Sequence, residues 1–277
     1  MAIVNPVPVQ IPSSSGIRGG TSSANPSINA AGSLIVNADD WGRDFETTNR
    51  IFECVTAGTV SSTSAMVFMA DSERGADLAR ARGVDCGLHL NFTTPFTAPG
   101  CPAPLRKHQE RIGRYLKGNR LAQVVYHPGL TSAFSFVVAA QIDEFERIFG
   151  VTPHRLDGHH HMHLCANVLF GKLLPTGTTV RRNFSFRKRE KSGINRLYRA
   201  AIDRVLRKRH RLTDYFFSLP PLEPPSRIDE IFSIARRSNV EVETHPVNPE
   251  EYRFLTGGGI LRRLGDLPIA RGFTIAA

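Results

Sequence analysis

The chain contains 277 residues, of which 41% are hydrophobic and 22% are charged. This composition is typical of a globular protein, and the length allows one large α/β domain or two small ones. The sequence has no apolar run long enough to cross a bilayer, which excludes an integral helical membrane protein. The formal net charge is +10, so an anionic partner has to be considered.

The N-terminal residues 1–31 are rich in proline, serine, glycine and asparagine and show no hydrophobic periodicity. Such a composition predicts a disordered tail. The stretch also lacks the basic start of a secretory signal. The cysteines are widely spaced and form no CxxC pair, which favours reduced thiols and a cytoplasmic location. They are Cys54, Cys86, Cys101 and Cys165.

From Ser33 onward, short apolar runs alternate with segments that have helical spacing. "SLIVN" predicts a buried strand, "TTNRIFECVTAG" a helix that stops at Gly58, and "VSSTSAMVFM" a second strand. The alternation continues along the chain. Strands are predicted at 33–37, 60–69, 84–92, 152–159, 178–183 and 240–246, and helices at 47–58, 72–83, 132–150, 167–175, 193–209 and 225–239.

This alternation predicts parallel βα units. We therefore expect one barrel-like (β/α) domain over residues 32–277, because no change in composition marks a boundary inside it. The polar stretch from Thr93 to Ser132 is predicted to be an elaborated loop of that domain.

Much of the positive charge lies in one segment, Arg181–Arg211. Three interpretations stay open: nucleic-acid binding, peripheral attraction to an anionic membrane or lipid-linked glycan, and an ordinary solvated face. A solvated face is the commonest origin of a charge run. No zinc finger, RNP-like motif or helix-turn-helix accompanies the charge, so no specific nucleic-acid partner is predicted.

Polar clusters stand at the carboxyl ends of four predicted strands. In parallel α/β barrels those ends form one rim, and the active site lies on it. Four segments that are distant in sequence are therefore predicted to converge. The clusters are Asp39 with Asp40, then His89, then Asp157 with His159 and His161, and finally His245.

The adjacent aspartates Asp39 and Asp40 would repel each other unless a cation or a proton relieves them. In the simpler explanation, Asp40 caps the following helix and Asp39 is solvated. The apolar strand in front of them favours a cation, because it carries both carboxylates to the rim. One carboxylate would then bind the metal, and the other would stay free as a base.

The run "HHHMH" concentrates four of the ten histidines of the chain within five positions. On a strand, His159, His161 and His163 would share a face, whereas on a helix only His159 and His163 would do so. His159 is the favoured metal ligand, because Asp40 and His89 are predicted on the same rim.

A set of two histidines and one carboxylate leaves open positions on a divalent ion for water and substrate. Such an ion lowers the pKa of a water toward ~7 and polarises a carbonyl group. Asp157 would orient a histidine ligand through its second ring nitrogen. The ligand types are compatible with zinc and with magnesium.

Four segments resemble the motifs of the YdjC/ChbG-like carbohydrate deacetylase family in order and spacing: "NADDWG", "GLHLNFT", "PHRLDGHHHMH" and "VETHP". The family pattern is ADDFG, a GLHL-type motif, DSHxHxH and a late HP. The resemblance spans about residues 33–250. It implies a distorted TIM-like barrel, a homodimer as in many family members, and metal-dependent removal of an acetyl group from an N-acetylated sugar or oligosaccharide.

Transferred position by position, the resemblance implies that Asp40, His89 and His159 hold one divalent ion. Asp39 would be the general base that activates water, and His245 would protonate the leaving amine. Other matched residues would support a ligand or contact the substrate. These are Asp157, His161, His163, Trp41 and Asn91.

At Trp41 the family usually has phenylalanine, and a larger aromatic ring there would reshape the sugar pocket.

Two other hydrolases remain as alternatives. A glycoside hydrolase would use Asp39 with Glu243 or Asp157 and leave the histidines without a role. A metal-dependent phosphoesterase would use a second ion, for which Asp157, His161 and His163 are spare ligands. A binding module that performs no chemistry would not need Asp39.

Overall fold

The computed structural model describes residues 32–118, 121–186 and 192–273. Within these residues, seven strands form one sheet in the order β5-β4-β3-β2-β1-β7-β6, and all neighbouring strands are parallel. The strands are β1 (Ser33–Trp41), β2 (Ser62–Ala65), β3 (Cys86–Leu90), β4 (Arg155–Gly158), β5 (Thr179–Val180), β6 (Tyr215–Ser218) and β7 (Asn239–Thr244).

Helices follow most of these strands, as the alternating sequence pattern predicts. Short 3-10 helices cover Pro128–Leu130 and His159–Leu164. The α-helices of the described residues are α1 (Phe45–Thr56), α2 (Ser72–Arg82), α3 (Ala103–Gly118), α4 (Thr131–Phe149), α5 (Ala166–Phe170), α6 (Gly193–Arg207), α7 (Ser226–Ala235), α8 (Pro249–Thr256) and α9 (Gly259–Leu264).

The ends of the first helices follow from local chemistry. Asp44 precedes α1, and its side chain accepts a hydrogen bond from the N–H of Thr47 at 2.8 Å. Such a cap satisfies one of the free donors at a helix start. α2 ends at Gly83, whose φ of 64° is left-handed and therefore suits glycine.

The sheet curls into a half-barrel. β5 and β1 are four strands apart in the sheet, which corresponds to about 19 Å if the sheet were flat. Arg181 follows β5 directly, yet its guanidinium lies 2.6 Å from a carboxylate oxygen of Asp39 on β1. An arginine side chain is too short for the flat distance, so the strands must wrap around a common interior.

The two edges of the sheet are also joined. The N–H of Ser185 donates to the C=O of Phe216 on β6 at 2.7 Å, and the N–H of Val180 on β5 donates to the C=O of Arg211 at 2.9 Å. The predicted barrel-like α/β fold is therefore confirmed. Its core is one continuous cluster of apolar side chains between the sheet and the helices.

One prediction about the elements was wrong. The stretch predicted as a loop contains α3, which buries Leu105, Ile112 and Leu116 on one side. Their spacing of seven and four residues is a helical pattern. The many charged residues between them led to the prediction of a polar loop instead. β6 and the helices α8 and α9 were not predicted at all.

The predicted tail, residues 1–31, lies outside the described residues, and the domain start at residue 32 stays a prediction. No helix within the described ranges is both long and apolar enough to cross a membrane.

Candidate metal centre and catalytic cavity

Asp39 and Asp40 reach the same cavity because β1 is irregular at its end. The register between β1 and β2 shifts here, and Asp40 has a φ of 71°. In a regular strand, adjacent side chains would point to opposite faces. The bulge brings both carboxylates toward His89, whose Nε2 lies 4.0 Å from Asp39 Oδ2 and 3.4 Å from Asp40 Oδ1.

Asp40, His89 and His159 form a compact group of three side chains that could hold a metal ion. One ligand atom of each lies within 4.8 Å of the others. His159 Nδ1 is 2.9 Å from Asp40 Oδ1, and the second carboxylate oxygen of Asp40 accepts a hydrogen bond from Arg43 at 3.0 Å. All three members of the group are buried. The sequence prediction brought these three residues together, but it missed Arg43.

His89 is oriented through its other ring nitrogen. Its Nδ1 lies 2.7 Å from Asp157 Oδ1, whereas its buried Nε2 has no hydrogen-bond partner in the described structure. Burial lowers the pKa of His89, but the charges of Asp39 and Asp157 outweigh burial and raise it to about 10. The surroundings of Nε2 therefore attract positive charge strongly, and the donor set fits a divalent cation.

Asp39 is held by Arg181 rather than by the histidines. The guanidinium binds it with two hydrogen bonds of 2.6 and 2.7 Å, and Asn37 donates a third at 2.7 Å. Burial raises the pKa of Asp39, but Arg181 and His89 together bring it below its usual value. Asp39 is thus a fixed, charged carboxylate beside the three-residue group.

Asp157 is anchored at the bottom of the same site. It accepts hydrogen bonds from Ser64 at 2.6 Å and from Arg155 at 2.8 Å, and Arg181 lies 3.2 Å away. Burial raises the pKa of Asp157, but Arg181 and His89 outweigh burial and hold it well below the usual range. The side chain is fully buried, so Asp157 can orient His89 but cannot touch a substrate.

Two glutamates of β7 complete the surroundings of Arg181. Its Nε donates to Glu241 at 2.7 Å and its Nη1 to Glu243 at 3.2 Å. Burial raises the pKa of both glutamates, and the charge of Asp39 raises that of Glu243 further, to well above its usual value. Within one cavity, the pKa of Asp39 is therefore shifted down while that of Glu243 is shifted up.

Arg181 is the main functional residue that the sequence interpretation missed. It was counted only as the first residue of the basic segment. A signal existed, because "TTVRRN" places Arg181 in the second half of a predicted strand, near the rim where the acidic and histidine clusters were expected.

The histidine run adopts neither the strand nor the α-helix that the sequence left open. It forms a 3-10 turn in which His160 and His161 have left-handed φ values of 55° and 57°. The ring of His161 packs edge-on against Phe184, and its Nε2 lies 3.5 Å from Glu243. Burial and the charge of Arg181 lower the pKa of His161 well below its usual value, so its ring is neutral at the cavity wall.

His163 is directed away from the cavity. Its Nε2 donates to the backbone C=O of Arg181 at 3.0 Å. Burial lowers the pKa of His163 to about 4, so the ring is neutral and serves to position the strand end at Arg181. It supports a site residue, but it is not placed to contact a substrate.

Trp41 and Asn91 do not line the cavity either. Trp41 is fully buried, with its ring 6.4 Å from that of Phe52. The expectation that Trp41 reshapes the sugar pocket is therefore wrong, because the bulge turns this side chain into the core. Asn91 is also buried, and its side-chain oxygen accepts from the N–H groups of Thr93 and Thr94 at 3.1 and 2.9 Å, which closes a turn.

His245 follows β7 and stands at the mouth of the cavity. Its backbone N–H donates to Glu251 at 2.9 Å, and its Nδ1 lies 3.9 Å from Glu243. The side chain is 35% exposed, so a substrate could reach it.

The cavity has a volume of about 390 Å³. It is lined by Asp39, Asp40, Arg43, His89, Gly158, His159, His160, His161, Glu243, His245 and Val247.

A family model for YdjC-like proteins matches residues 33–256, which include every residue that lines this cavity. The chain belongs to the YdjC-like family. The sequence resemblance drawn from four short motifs is confirmed over most of the chain.

Curated relatives match about half of this YdjC-like chain. A chitooligosaccharide deacetylase of Proteus mirabilis is 32% identical over 131 residues, which are 47% of this chain and 50% of that protein. A carbohydrate deacetylase of Mus musculus is 29% identical over 141 residues, 49% of this chain and 44% of that protein. The chain thus spans about half the length of the curated relatives that it matches.

The fold is also found in a solved structure. A crystal structure from Enterococcus faecalis V583, described as that of a candidate cellobiose-phosphate cleavage protein, superposes with a TM-score of 0.60 at 19% identity. The match covers 87% of this chain and 96% of that one. At this identity the likeness concerns the fold of the YdjC-like chain and not its activity.

Proposed function

We propose that this protein is a metal-dependent hydrolase that removes the acetyl group from an N-acetylated sugar or oligosaccharide. One observation carries the proposal. The unpaired Nε2 of His89 lies within 4.0 Å of two carboxylates, one of which is bound to histidine and the other to arginine. Metal-assisted hydrolysis of an amide uses both a cation site and a separate base.

The ion would be held by Asp40, His89 and His159, which offer one carboxylate and two imidazoles. When bound, a divalent ion lowers the pKa of a water and polarises the amide carbonyl. The imidazoles favour zinc, although this donor set also accepts magnesium. The identity of the ion stays open in the proposal.

Asp39 would take the proton from the attacking water. Its two hydrogen bonds to Arg181 keep it ionised and fix its direction, so it is ready to accept a proton without rearrangement. His245 would deliver a proton to the leaving nitrogen, since it is a partly exposed histidine that lines the cavity and follows β7. His161, which lies 3.5 Å from Glu243, would be a wall for the sugar ring.

The proposed substrate class follows the relatives. Both named relatives act on carbohydrates, and the bacterial one is a chitooligosaccharide deacetylase. N-acetylglucosamine oligomers are therefore the first substrates to test.

We also retain a cytoplasmic location as a prediction, on the basis of four buried, unpaired cysteines.

The two-metal phosphoesterase is less compatible with the charges in the cavity. Two further groups of side chains could hold an ion by distance: Asp39 with Glu243 and His245, and Asp39 with His89 and Asp157. Arg181 already binds the carboxylates of both groups. Its fixed positive charge stands where the second ion would have to bind, and the two cations would repel each other.

A glycoside hydrolase would need two carboxyl groups on opposite sides of the scissile bond. The pKa values of Asp39 and Glu243 are shifted in opposite directions, as such an acid–base pair requires. However, the same Nη1 of Arg181 binds both of them, at 2.6 and 3.2 Å. They therefore lie on one side of the cavity and do not flank a substrate.

The test is acetate release from N-acetylglucosamine oligomers by the purified chain, after chelation and after readdition of zinc or magnesium. Metal-dependent release is expected. Asp39→Asn should keep the bound metal and lower the rate by about 10²- to 10⁴-fold, the range for loss of a general base. Release of phosphate from sugar phosphates, with no acetate under any metal, would establish the phosphoesterase instead.

A further inference from the structure

The helix α6 carries an apolar stripe that faces away from the protein core. The stripe residues are spaced by three and four positions, so they share one side of the helix. Ile194 is 83% exposed and Leu197 is 73% exposed. We call this set the α6 stripe: Ile194, Leu197, Tyr198, Ala201 and Val205.

The opposite side of α6 attaches the helix to the barrel through polar contacts. Asp203 is buried, binds the Arg182 guanidinium at 2.6 and 3.0 Å and accepts from the N–H of Asn183 at 3.1 Å. Leu206 is also buried. The orientation of the helix is thus fixed by its buried side, and the outward direction of the α6 stripe follows from it.

A cleft adjoins the C-terminal end of the stripe. It has a volume of about 320 Å³ and includes Val205 of the stripe together with Phe170, which is 68% exposed. The interior of the cleft is lined by aliphatic side chains such as Leu174, whereas Lys172 and Lys208 stand among its lining residues. An apolar cleft with a cationic border fits a molecule that has an apolar chain and an anionic head.

Positive charge is concentrated on α6 and directly after it. The helix contains four arginines and one acidic residue, and that acid is the buried Asp203. Arg204 borders the α6 stripe, and Lys208 and Arg209 follow the helix directly. A helix that combines exposed aliphatic side chains with arginine and lysine has the features of helices that lie in the interface of a bilayer. An anionic leaflet attracts each such cation further.

We propose that α6 and its adjoining cleft form a surface that docks onto an anionic phospholipid bilayer. Charge and apolar surface together decide against the other occupants. A second copy would bring two strongly basic helices together, and a nucleic acid would gain little from exposed isoleucine and leucine side chains. The proposal does not depend on deacetylation.

The docking surface lies beside the catalytic cavity. Tyr198 of the α6 stripe lines a small side cavity together with His160 and His161, and both histidines also line the catalytic cavity. A docked protein would thus hold its catalytic mouth near the bilayer surface, where a sugar carried on a lipid would be presented.

The test is flotation of the full chain with two kinds of vesicles, phosphatidylcholine alone and phosphatidylcholine with phosphatidylglycerol in about a three-to-one ratio. We expect binding to the anionic vesicles to be at least about tenfold tighter and to weaken with added salt. Equal binding to both vesicles, or binding to neither, would overturn the proposal.

Two pairs of variants locate the surface. Ile194→Ser with Leu197→Ser should weaken binding at least about tenfold, while Val151→Ser with Leu261→Ser, which removes exposed apolar side chains elsewhere, should not. Arg204→Gln with Arg207→Gln should reduce the preference for anionic vesicles, whereas Arg253→Gln with Arg262→Gln should leave it unchanged.

The same α6 variants distinguish the other occupants. Hydrolysis of soluble N-acetylglucosamine oligomers and the thermal unfolding temperature should be unchanged, because the substituted side chains are exposed. Loss of self-association in sedimentation, with no change in vesicle binding, would assign the stripe to a second copy. Binding to single-stranded RNA in the absence of vesicle binding would assign it to a nucleic acid.

Discussion

The two halves of the catalytic cavity carry the same kinds of side chains but satisfy them differently. On the metal side, Asp40 faces two imidazoles, and the buried His89 Nε2 has no hydrogen-bond partner in the described structure. On the arginine side, both oxygens of Asp39 are bound by Arg181. Adjacent aspartates can therefore serve separate roles, because one faces a space for a cation and the other faces a cation that belongs to the chain.

The same contrast separates Asp39 from Glu243. Both are bound by Arg181, but the arginine pairs with Asp39 through two nitrogens, while Glu243 receives one longer contact. The pKa of Asp39 falls and that of Glu243 rises. A buried arginine thus stabilises one negative charge, while the neighbouring carboxyl group is shifted toward its protonated form, as expected when two carboxyl groups compete for one cation.

The largest effect is expected on the metal side. His89→Ala should abolish metal binding and lower acetate release by at least about 10³-fold, because it removes a ligand that no neighbour replaces. Metal content by elemental analysis and the rate of acetate release are the measurements. His160→Ala is the matched control. His160 belongs to the histidine run but is exposed and bound to Thr93, so its loss should leave the metal in place.

On the arginine side, Arg181→Lys should lower kcat by about ten- to a hundredfold and keep the metal. Lysine preserves the charge but cannot form the two parallel hydrogen bonds to Asp39, and a displaced base is costly. Arg182→Lys is the control, because Arg182 binds Asp203 outside the cavity. Equal losses in both variants would mean that the effect comes from general destabilisation.

A smaller effect is expected for Glu243→Gln. Glutamine has nearly the shape of a protonated glutamate, and burial together with the charge of Asp39 raises the pKa of Glu243 and so favours its protonated form. We expect kcat to change by less than about tenfold, against the large loss for Asp39→Asn. If the two amide substitutions were equally damaging, Glu243 would have to be ionised, and the proposed asymmetry would be wrong.

The last prediction concerns the stability of the fold and His163, whose ring binds the backbone C=O of Arg181. The pKa of His163 is about 4 in the fold, against 6.5 as its ordinary value. The unfolded chain therefore takes up more protons, and this group should lower the free energy of unfolding as the pH falls from about 6.5 to about 4, by at most roughly 3 kcal/mol. Urea denaturation across this range should show a flatter pH dependence for His163→Gln than for the unchanged chain. If the free energy of unfolding depended on pH equally in His163→Gln and in the unchanged chain, the lowered pKa of His163 would be contradicted.

Much of the cavity was predictable from the sequence. Asp40, His89 and His159 were expected to converge, and their ligand atoms lie within 4.8 Å of one another. The prediction succeeded because parallel strands bring their carboxyl ends to one rim, so a polar cluster after a strand has a known position. The same rule would have included Arg181 if its segment had not been considered only for its charge.

Side-chain directions were harder to predict. Trp41 was expected in the sugar pocket, and the histidine run was expected on a strand or an α-helix. The actual directions depend on a bulge at Asp40 and on two left-handed residues, His160 and His161. Such backbone conformations are rare in residues other than glycine, and no local sequence pattern predicts them here.

Local pattern was sufficient for most of the strands and helices, the barrel class and the clustering of Asp40, His89 and His159, because hydrophobic periodicity is a property of short segments. The partners of charged groups were not accessible in this way. Arg181 binds Asp39 across 142 positions, and the direction in which the α6 stripe faces depends on a contact between Asp203 and Arg182. Burial and long-range pairing decide which carboxyl group is charged and which apolar face is left outside, and both arise only when the sheet curls and the segments meet.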